Sequence, residues 1–331
     1  MIKERALTGI KPTGSPHIGN LLGAIKPALD IANSYQALYF IADYHALTTV
    51  RDKALMKSQI HEVAATWLAA GLNPEEVIFY RQSDIPEVFE LSWILSCFSP
   101  KGLMNRAHSY KDMTSKNEAA GADLDKGIHM GVYNYPILMA ADILLYSAHK
   151  VPVGQDQKQH LEIARDIAQA FNQQYGEILV LPEPMINESV KTIPGIDGRK
   201  MSKSYDNVIP LYQTPKKLKK RINQIVTDSK GVEEPKDPET CNLFAIYKYF
   251  ASEAQTSEMA AAYKKGGLGY GHIKGELFDL VDAFVAPGRE VYEHHMNHLD
   301  ELDKILQLGA EKARTIARPK LAEVRKAIGM E

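Results

Sequence analysis

The feature that most constrains the fold is an alternation of short apolar runs with longer helical stretches over the first 85 residues. Ala6 to Ile10 (ALTGI) is apolar and stops at Pro12 and Gly14. A helical stretch follows from about His17. Ala37 to Leu47 (ALYFIADYHAL) is a second strand candidate and Glu76 to Asp84 (EVIFYRQSD) a third. Between these two, Lys53 to Ala70 carries Ile60, Val63, Trp67 and Leu68 at helical spacing. Gly71 closes it and Pro74 lies beyond. Strands separated by helices pair in parallel through right-handed crossovers.

Residues 86–148 interrupt the alternation. They read as helices plus a polar stretch, Thr114 to Gly127, of mobile composition. Lys150 to Gln157 (KVPVGQDQ) resumes as strand and turn, a helix runs on to Phe171, and Ile178 to Ile186 (ILVLPEPMI) is a further strand. Residues 1–205 therefore read as a doubly wound, Rossmann-like α/β domain with an insertion at about 86–148. Pro136, within YPILMAADILLY, suits the first turn of a helix, where its missing N–H costs nothing. After Tyr205 the strand signal fades, and residues 206–307 read as an α-helical domain.

Composition narrows the class. A chain of 331 residues, 45% hydrophobic and 24% charged, is neither disordered nor a disulfide scaffold. Its net charge of −2 excludes a uniformly basic surface, so contact with nucleic acid must come from local patches. Cys97 and Cys241 are far apart and cannot form a four-thiolate zinc or iron–sulfur site. His294 and His298, with His295 between them, lack a carboxylate at a recognised ligand spacing and read as a solvated face. No protein metal site is expected. The first residues have no apolar signal core, and Tyr135 to Tyr146 is too short to span a bilayer. A cytoplasmic protein without membrane contact is the expectation.

Two motifs point to phosphate chemistry. Pro12 to Asn20 (PTGSPHIGN) follows the first strand and opens a helix, whose free N–H groups and positive dipole suit a triphosphate. His17 and Asn20 share a face of its first turn. By itself this reads equally well as a tight turn with a capping histidine. Arg199 to Ser204 (RKMSKS) follows Gly195 and Gly198 and sets Lys200 and Lys203 three apart, suited to phosphates whose charge is redistributed during a reaction. A generic solvated basic loop is the competing reading, which the full KMSKS run, about 180 residues after HIGN, makes hard to sustain.

Tyr135, Met139, Asp142 and Tyr146 recur on one helical face. A carboxylate on an apolar stripe needs a donor, either a partner within the core or a ligand N–H. GQDQ, Gly154 to Gln157, follows a strand and enters a helix, in the crevice where α/β sheets bind ligands. Lys216 to Arg221 (KKLKKR) reads as a solvated helix or as a surface for RNA phosphates.

HIGN and KMSKS resemble the paired ATP signatures of the class I aminoacyl-tRNA synthetases. LTGIKPTGSPHIGNLLGAI, IADYHALT, YPILMAADILLY and VPVGQDQKQHLEIARDIAQAFN are similar to blocks of the bacterial tryptophan-specific branch, in that branch's order and over nearly the whole chain. The resemblance implies ATP contacts from Lys11, Pro12, Thr13, Gly19, Asn20, Gly154, Gln155, Asp156, Ile193, Lys200, Met201, Ser202, Lys203 and Ser204. It implies tryptophan contacts from Leu7, Gly9, His45, Tyr135, Met139, Asp142 and Gln157, and catalytic roles for His17, Asn20, Lys200 and Lys203. Lys11 stands where glutamine is common in the family. The implied substrates are L-tryptophan, ATP with Mg²⁺, and tRNA(Trp). The resemblance further implies a homodimer joined through the insertion, an anticodon-binding domain at 206–307, and a helix at about 308–331 folding back on the catalytic domain. A tyrosine-specific synthetase and a non-charging paralogue are the rival readings.

Overall fold

The computed structural model describes residues 3–154, 157–185 and 193–331. The predicted nucleotide contacts Gln155 and Asp156, and the end of the last strand candidate at Ile186, lie outside the described residues.

Five strands form one sheet: β1 (Arg5–Ile10), β2 (Gln36–Ile41), β3 (Ile78–Arg81), β4 (Lys150–Pro152) and β5 (Glu183–Met185), in the order β3-β2-β1-β4-β5. Every pairing is parallel. From β1 the chain adds strands outward to β3, then returns to set β4 on the other side of β1. The switch point lies between the carboxyl ends of β1 and β4, the crevice where open α/β sheets take ligands.

Helices make every crossover. α1 (Ile18–Asn20), a π-type turn (Leu21–Ile25) and α2 (Lys26–Ala32) link β1 to β2. α3 (Asp43–Ala46) and α4 (Lys53–Ala69) link β2 to β3. The interruption read from the sequence is the group α5 (Glu87–Ser96), α6 (Lys101–Met104), α7 (His108–Ala119) and α8 (Met130–Leu144), and α9 (Lys158–Tyr175) joins β4 to β5. Alternation along β2 feeds two cores: Tyr39 and Ile41 pack with Trp67 of α4, while Leu38 and Phe40 pack with α5, α8 and α9.

Apart from β1, the strands are shorter than the apolar runs that announced them. β2 stops at Ile41 because Asp43 turns the chain into α3, its carboxylate accepting from the Tyr44 and Ser83 N–H groups. β5 omits Ile178 and Leu179 because the Asn172 side chain accepts from both their N–H groups and donates to the Leu179 carbonyl, satisfying them away from the sheet. Pro136 is not in a first turn: α8 begins at Met130, so the proline is interior to the helix.

Beyond Tyr205 the described residues hold only helices: α10 (Pro215–Asn223), α11 (Asn242–Tyr247), α12 (Glu253–Lys265), α13 (Tyr270–Asn297) and α14 (Leu299–Ala327). α13 packs on α4 and α10, and α14 runs along β3 and α5, covering the edge of the sheet. The approach is close enough to require glycine. A Cβ on Gly309 would stand 1.7 Å from the Phe79 carbonyl oxygen. Both sides of that overlap are backbone and cannot yield cheaply. Gly309→Ala is expected to destabilise the protein by about 3 kcal/mol or more. Chemical denaturation reads this directly, and a midpoint within error of wild type would contradict the packing.

Candidate functional site

The turn after β1 is held from several sides. The Thr13 N–H donates to the Lys11 carbonyl (2.9 Å), and Gly14 adopts φ +86°, which a side chain would strain. The buried Gln59 carboxamide of α4, in the orientation that satisfies both its ends, donates to the Pro12 carbonyl (2.8 Å) and accepts from the Gly14 N–H (2.9 Å). His17 follows at the start of α1, its N–H donating to Asn20 Oδ1 (3.1 Å). The ring is buried and its Nδ1 has no partner within the protein. Burial, helped by the positive charge of Lys203, lowers the His17 pKa to about 4. At neutral pH it therefore offers a neutral donor or acceptor.

The KMSKS segment closes over this turn. Met201 is buried, and its sulfur lies 3.3 Å from where a Cβ on Gly19 would stand. Lys203 Nζ donates to the Thr13 (2.9 Å) and Gly14 (2.6 Å) carbonyls. Lys203 as a residue is exposed, yet desolvation of its ammonium lowers the pKa to about 8. The buried Asn207 orders the loop, accepting from the Ser202 N–H (2.7 Å) and donating to the Lys200 carbonyl (3.0 Å) and Asp197. Lys200 and Ser204 are exposed, and the Ser202 and Ser204 hydroxyls lie 2.7 Å apart. Ile193 sits in the core with its carbonyl taken by the Met201 N–H.

Beside this assembly lies a cavity at the switch point. All seven residues predicted to meet the amino acid line it: Leu7, Gly9, His45, Tyr135, Met139, Asp142 and Gln157. Lys11 and Gly154, predicted for ATP, line it too. Among the described residues that line it, Lys11 is the only lysine or arginine, and its ammonium bonds to Thr48 Oγ1 (2.8 Å). Burial lowers its pKa.

Asp142, 2% exposed, has its carboxylate fixed from two directions. His45 Nε2 meets Oδ2 at 2.9 Å and, facing an acceptor, must carry the proton there. Gln82 Nε2 donates to Oδ1 (2.8 Å) and Oδ2 (2.9 Å). Burial raises the Asp142 pKa, while these donors favour the ionised form. A carboxylate accepts at about four lone-pair sites. Three are engaged, so the group retains capacity for one further donor from the cavity. Tyr135 and Gln157 both bond to His160, which locks that wall.

Gln82, Gln59, Thr48 and Asp43 escaped the sequence reading, as did Ser109 and Asp112 of α7, which also line the cavity. Gln82 had one available signal: it lies near the end of the third strand run, at the carboxyl edge where ligands bind. Among the described residues no group of three or more His, Cys, Asp or Glu side chains could hold a metal ion. None of their helices is long and apolar enough to cross a membrane.

A parallel sheet with HIGN at the end of its first strand and KMSKS folded against it defines a nucleotide-dependent synthetase of class I. Residues 3–286 match the tRNA synthetases of class I for W and Y, and the chain belongs to that family. It is 52% identical to the tryptophan–tRNA ligase of Pseudomonas aeruginosa, over 98% of this chain and 74% of that protein. To the tryptophan–tRNA ligase of Neisseria meningitidis it is 48% identical, over 100% of this chain and 99% of the relative. The solved tryptophanyl-tRNA synthetase of Campylobacter jejuni, complexed with ADP and tryptophan, superposes with a TM-score of 0.91 at 47% identity, covering 98% of this chain and 99% of that one.

Proposed function

We propose that the chain acts as a tryptophan–tRNA ligase. The observation that carries this reading is Asp142: a buried carboxylate in the cavity, held by His45 and Gln82, with acceptor capacity for one more donor. An indole N–H is a donor that accepts nothing in return. The identity to tryptophan–tRNA ligases over almost the whole chain supports the same reading.

The first step is attack of the tryptophan carboxylate on the α-phosphorus of ATP. A carboxylate–phosphate bond forms, the bond to the β-phosphate bridge breaks, and pyrophosphate leaves. The nucleophile needs no general base, since an α-carboxyl pKa of about 3.3–3.7 leaves it ionised. Catalysis is then positioning and charge neutralisation. Lys203 and Lys200 are suited to the triphosphate, Lys11 to the junction of carboxylate and α-phosphate, and the N–H groups around His17 and Asn20 to the remaining oxygens. Magnesium enters with ATP as part of the substrate. The second step passes the aminoacyl group to the terminal ribose of tRNA(Trp). Aminoacylation of tRNA(Trp) transcript with a panel of amino acids tests the function: tryptophan should be charged, and charging by tyrosine alone would refute it.

The partner assignments belong to the same proposal. Residues 206–307 would take the anticodon arm, while the 86–148 segment would join two protomers, since Trp93, Leu124 and Met130 are exposed on it. The setting is the cytoplasm, where tRNA is charged. On α10, Leu218 and Ile222 face the core and Arg221 is tied to the Val208 carbonyl and to Asp206, so it serves the fold. Lys216, Lys217, Lys219 and Lys220 are exposed. Replacing these four with glutamine should shrink the salt slope of tRNA binding by up to ~0.7–0.9 per lost phosphate contact, with adenylate formation unchanged. An unaltered slope in a salt titration would assign the lysines to a solvated face.

A further inference from the structure

The residue that fixes Asp142 is itself fixed from outside the pocket. Gln82 is fully buried, and its carboxamide has only one workable orientation: Nε2 faces the Asp142 carboxylate, and Oε1 accepts from the Tyr44 N–H (3.1 Å). The short turn that bears it, Gln82–Asp84, is cross-linked to the turn bearing His45, because Asp43 accepts from the Ser83 N–H (3.0 Å) and hydroxyl. Both donors to Asp142 thus belong to one braced unit at the ends of β2 and β3.

β3 is an edge strand, and the support on its open side is α14. Gly309 lies on the Phe79 backbone. Six residues earlier, Asp303 Oδ1 accepts from Arg81 Nη1 (2.8 Å) and meets His61 Nε2 of α4 (3.1 Å). Arg81 immediately precedes Gln82, and its Nε also donates to Asp84 at the far end of the turn (2.9 Å). The Arg81 guanidinium therefore spans the turn and ties it to α14. Arg81 and Asp303 are 19% and 30% exposed on their side chains, sheltered enough for the pair to be incompletely screened.

We propose that Arg81 and Asp303 are positioning residues for amino-acid selection: the last helix, through this ion pair, holds the Gln82 turn and so sets the direction in which Asp142 presents its remaining acceptor site. The inference rests on the reading of Asp142 as the indole acceptor. Neither residue touches the substrate. A hydrogen bond to a buried acceptor is directional, so a turn that relaxes by a fraction of an ångström weakens tryptophan without affecting ATP, whose site lies across the switch point.

Tryptophan- and phenylalanine-dependent exchange of pyrophosphate into ATP, measured on Asp303→Asn, tests this. The expected result is a KM for tryptophan raised ~3–10-fold, an unchanged KM for ATP, and a tryptophan-to-phenylalanine preference reduced by the same factor. Asp303→Glu should recover part of the loss. In combination with Gln82→Asn the Asp303→Asn effect should largely disappear, because it acts through that side chain. Unchanged preference, a parallel rise in both KM values, or additive effects of the two substitutions would overturn the proposal. If Asp303→Asn does not fold, Arg81→Gln carries the same expectation and the same refutation. Asp142→Ala in the same assay separates the two claims. If it keeps its preference for tryptophan, the reading of Asp142 is wrong. If it loses preference while Asp303→Asn keeps it, only the role of the last helix fails.

Discussion

Replacing Asp142 with alanine is expected to abolish most of the preference for tryptophan over phenylalanine while leaving the use of ATP nearly intact. The carboxylate is buried, held by His45 and Gln82, and open to one donor from the cavity. A site built around such a group rejects an analogue that lacks the donor by as much as ~10⁴–10⁵, because the buried acceptor is then left unpaired. Alanine removes that penalty for phenylalanine together with the gain for tryptophan. The ratio of kcat/KM values for the two amino acids should fall by several orders of magnitude, chiefly through tryptophan. Tryptophan activation near the wild-type rate would show that the indole N–H is met elsewhere.

The second large effect belongs to Lys203. In this structure its ammonium rests on two neutral carbonyls of the Lys11–Gly14 turn, at the edge of the proposed triphosphate site. Desolvation lowers its pKa to about 8, and the Glu62 carboxylate only partly offsets that shift. A group poised in this way gains most when negative charge builds up beside it in the transition state. Lys203→Ala should lower kcat for adenylate formation by about 10²–10³ and change tryptophan KM little. The pH profile supplies an independent check. A lysine with a lowered pKa is charged below that value and neutral above it, so kcat/KM should decline as pH rises through about 8. In Lys203→Arg, whose guanidinium stays protonated, that alkaline limb should vanish. A raised tryptophan KM with constant kcat in the alanine variant would contradict the assignment.

The sequence revealed what repeats or clusters along the chain. Alternating runs announced the parallel sheet, and HIGN, KMSKS and the Tyr135, Met139, Asp142 stripe announced the site, because helix and strand periods carry facing directions in one dimension. It revealed poorly what depends on a single group meeting another far away. Gln82 and Gln59 are lone polar residues whose importance comes from partners tens of residues distant. Ile178 and Leu179 stay out of β5 because one side chain, Asn172, captures their backbone. Pro136 reads as a helix start, yet α8 begins six residues earlier at Met130, behind His129, which makes no side-chain cap that the sequence could announce. The neutral state of His17 was equally hidden, since it follows from burial under the KMSKS loop and not from spacing.

The central claim is that this cavity and these two phosphate motifs together activate tryptophan. Exchange of labelled pyrophosphate into ATP, with each amino acid supplied singly and no tRNA present, tests it most directly. Exchange that depends on tryptophan, is weak with tyrosine and phenylalanine, and is lost in Lys203→Ala is the predicted result. Exchange driven by tyrosine, or none with any amino acid in a folded sample, would contradict the account.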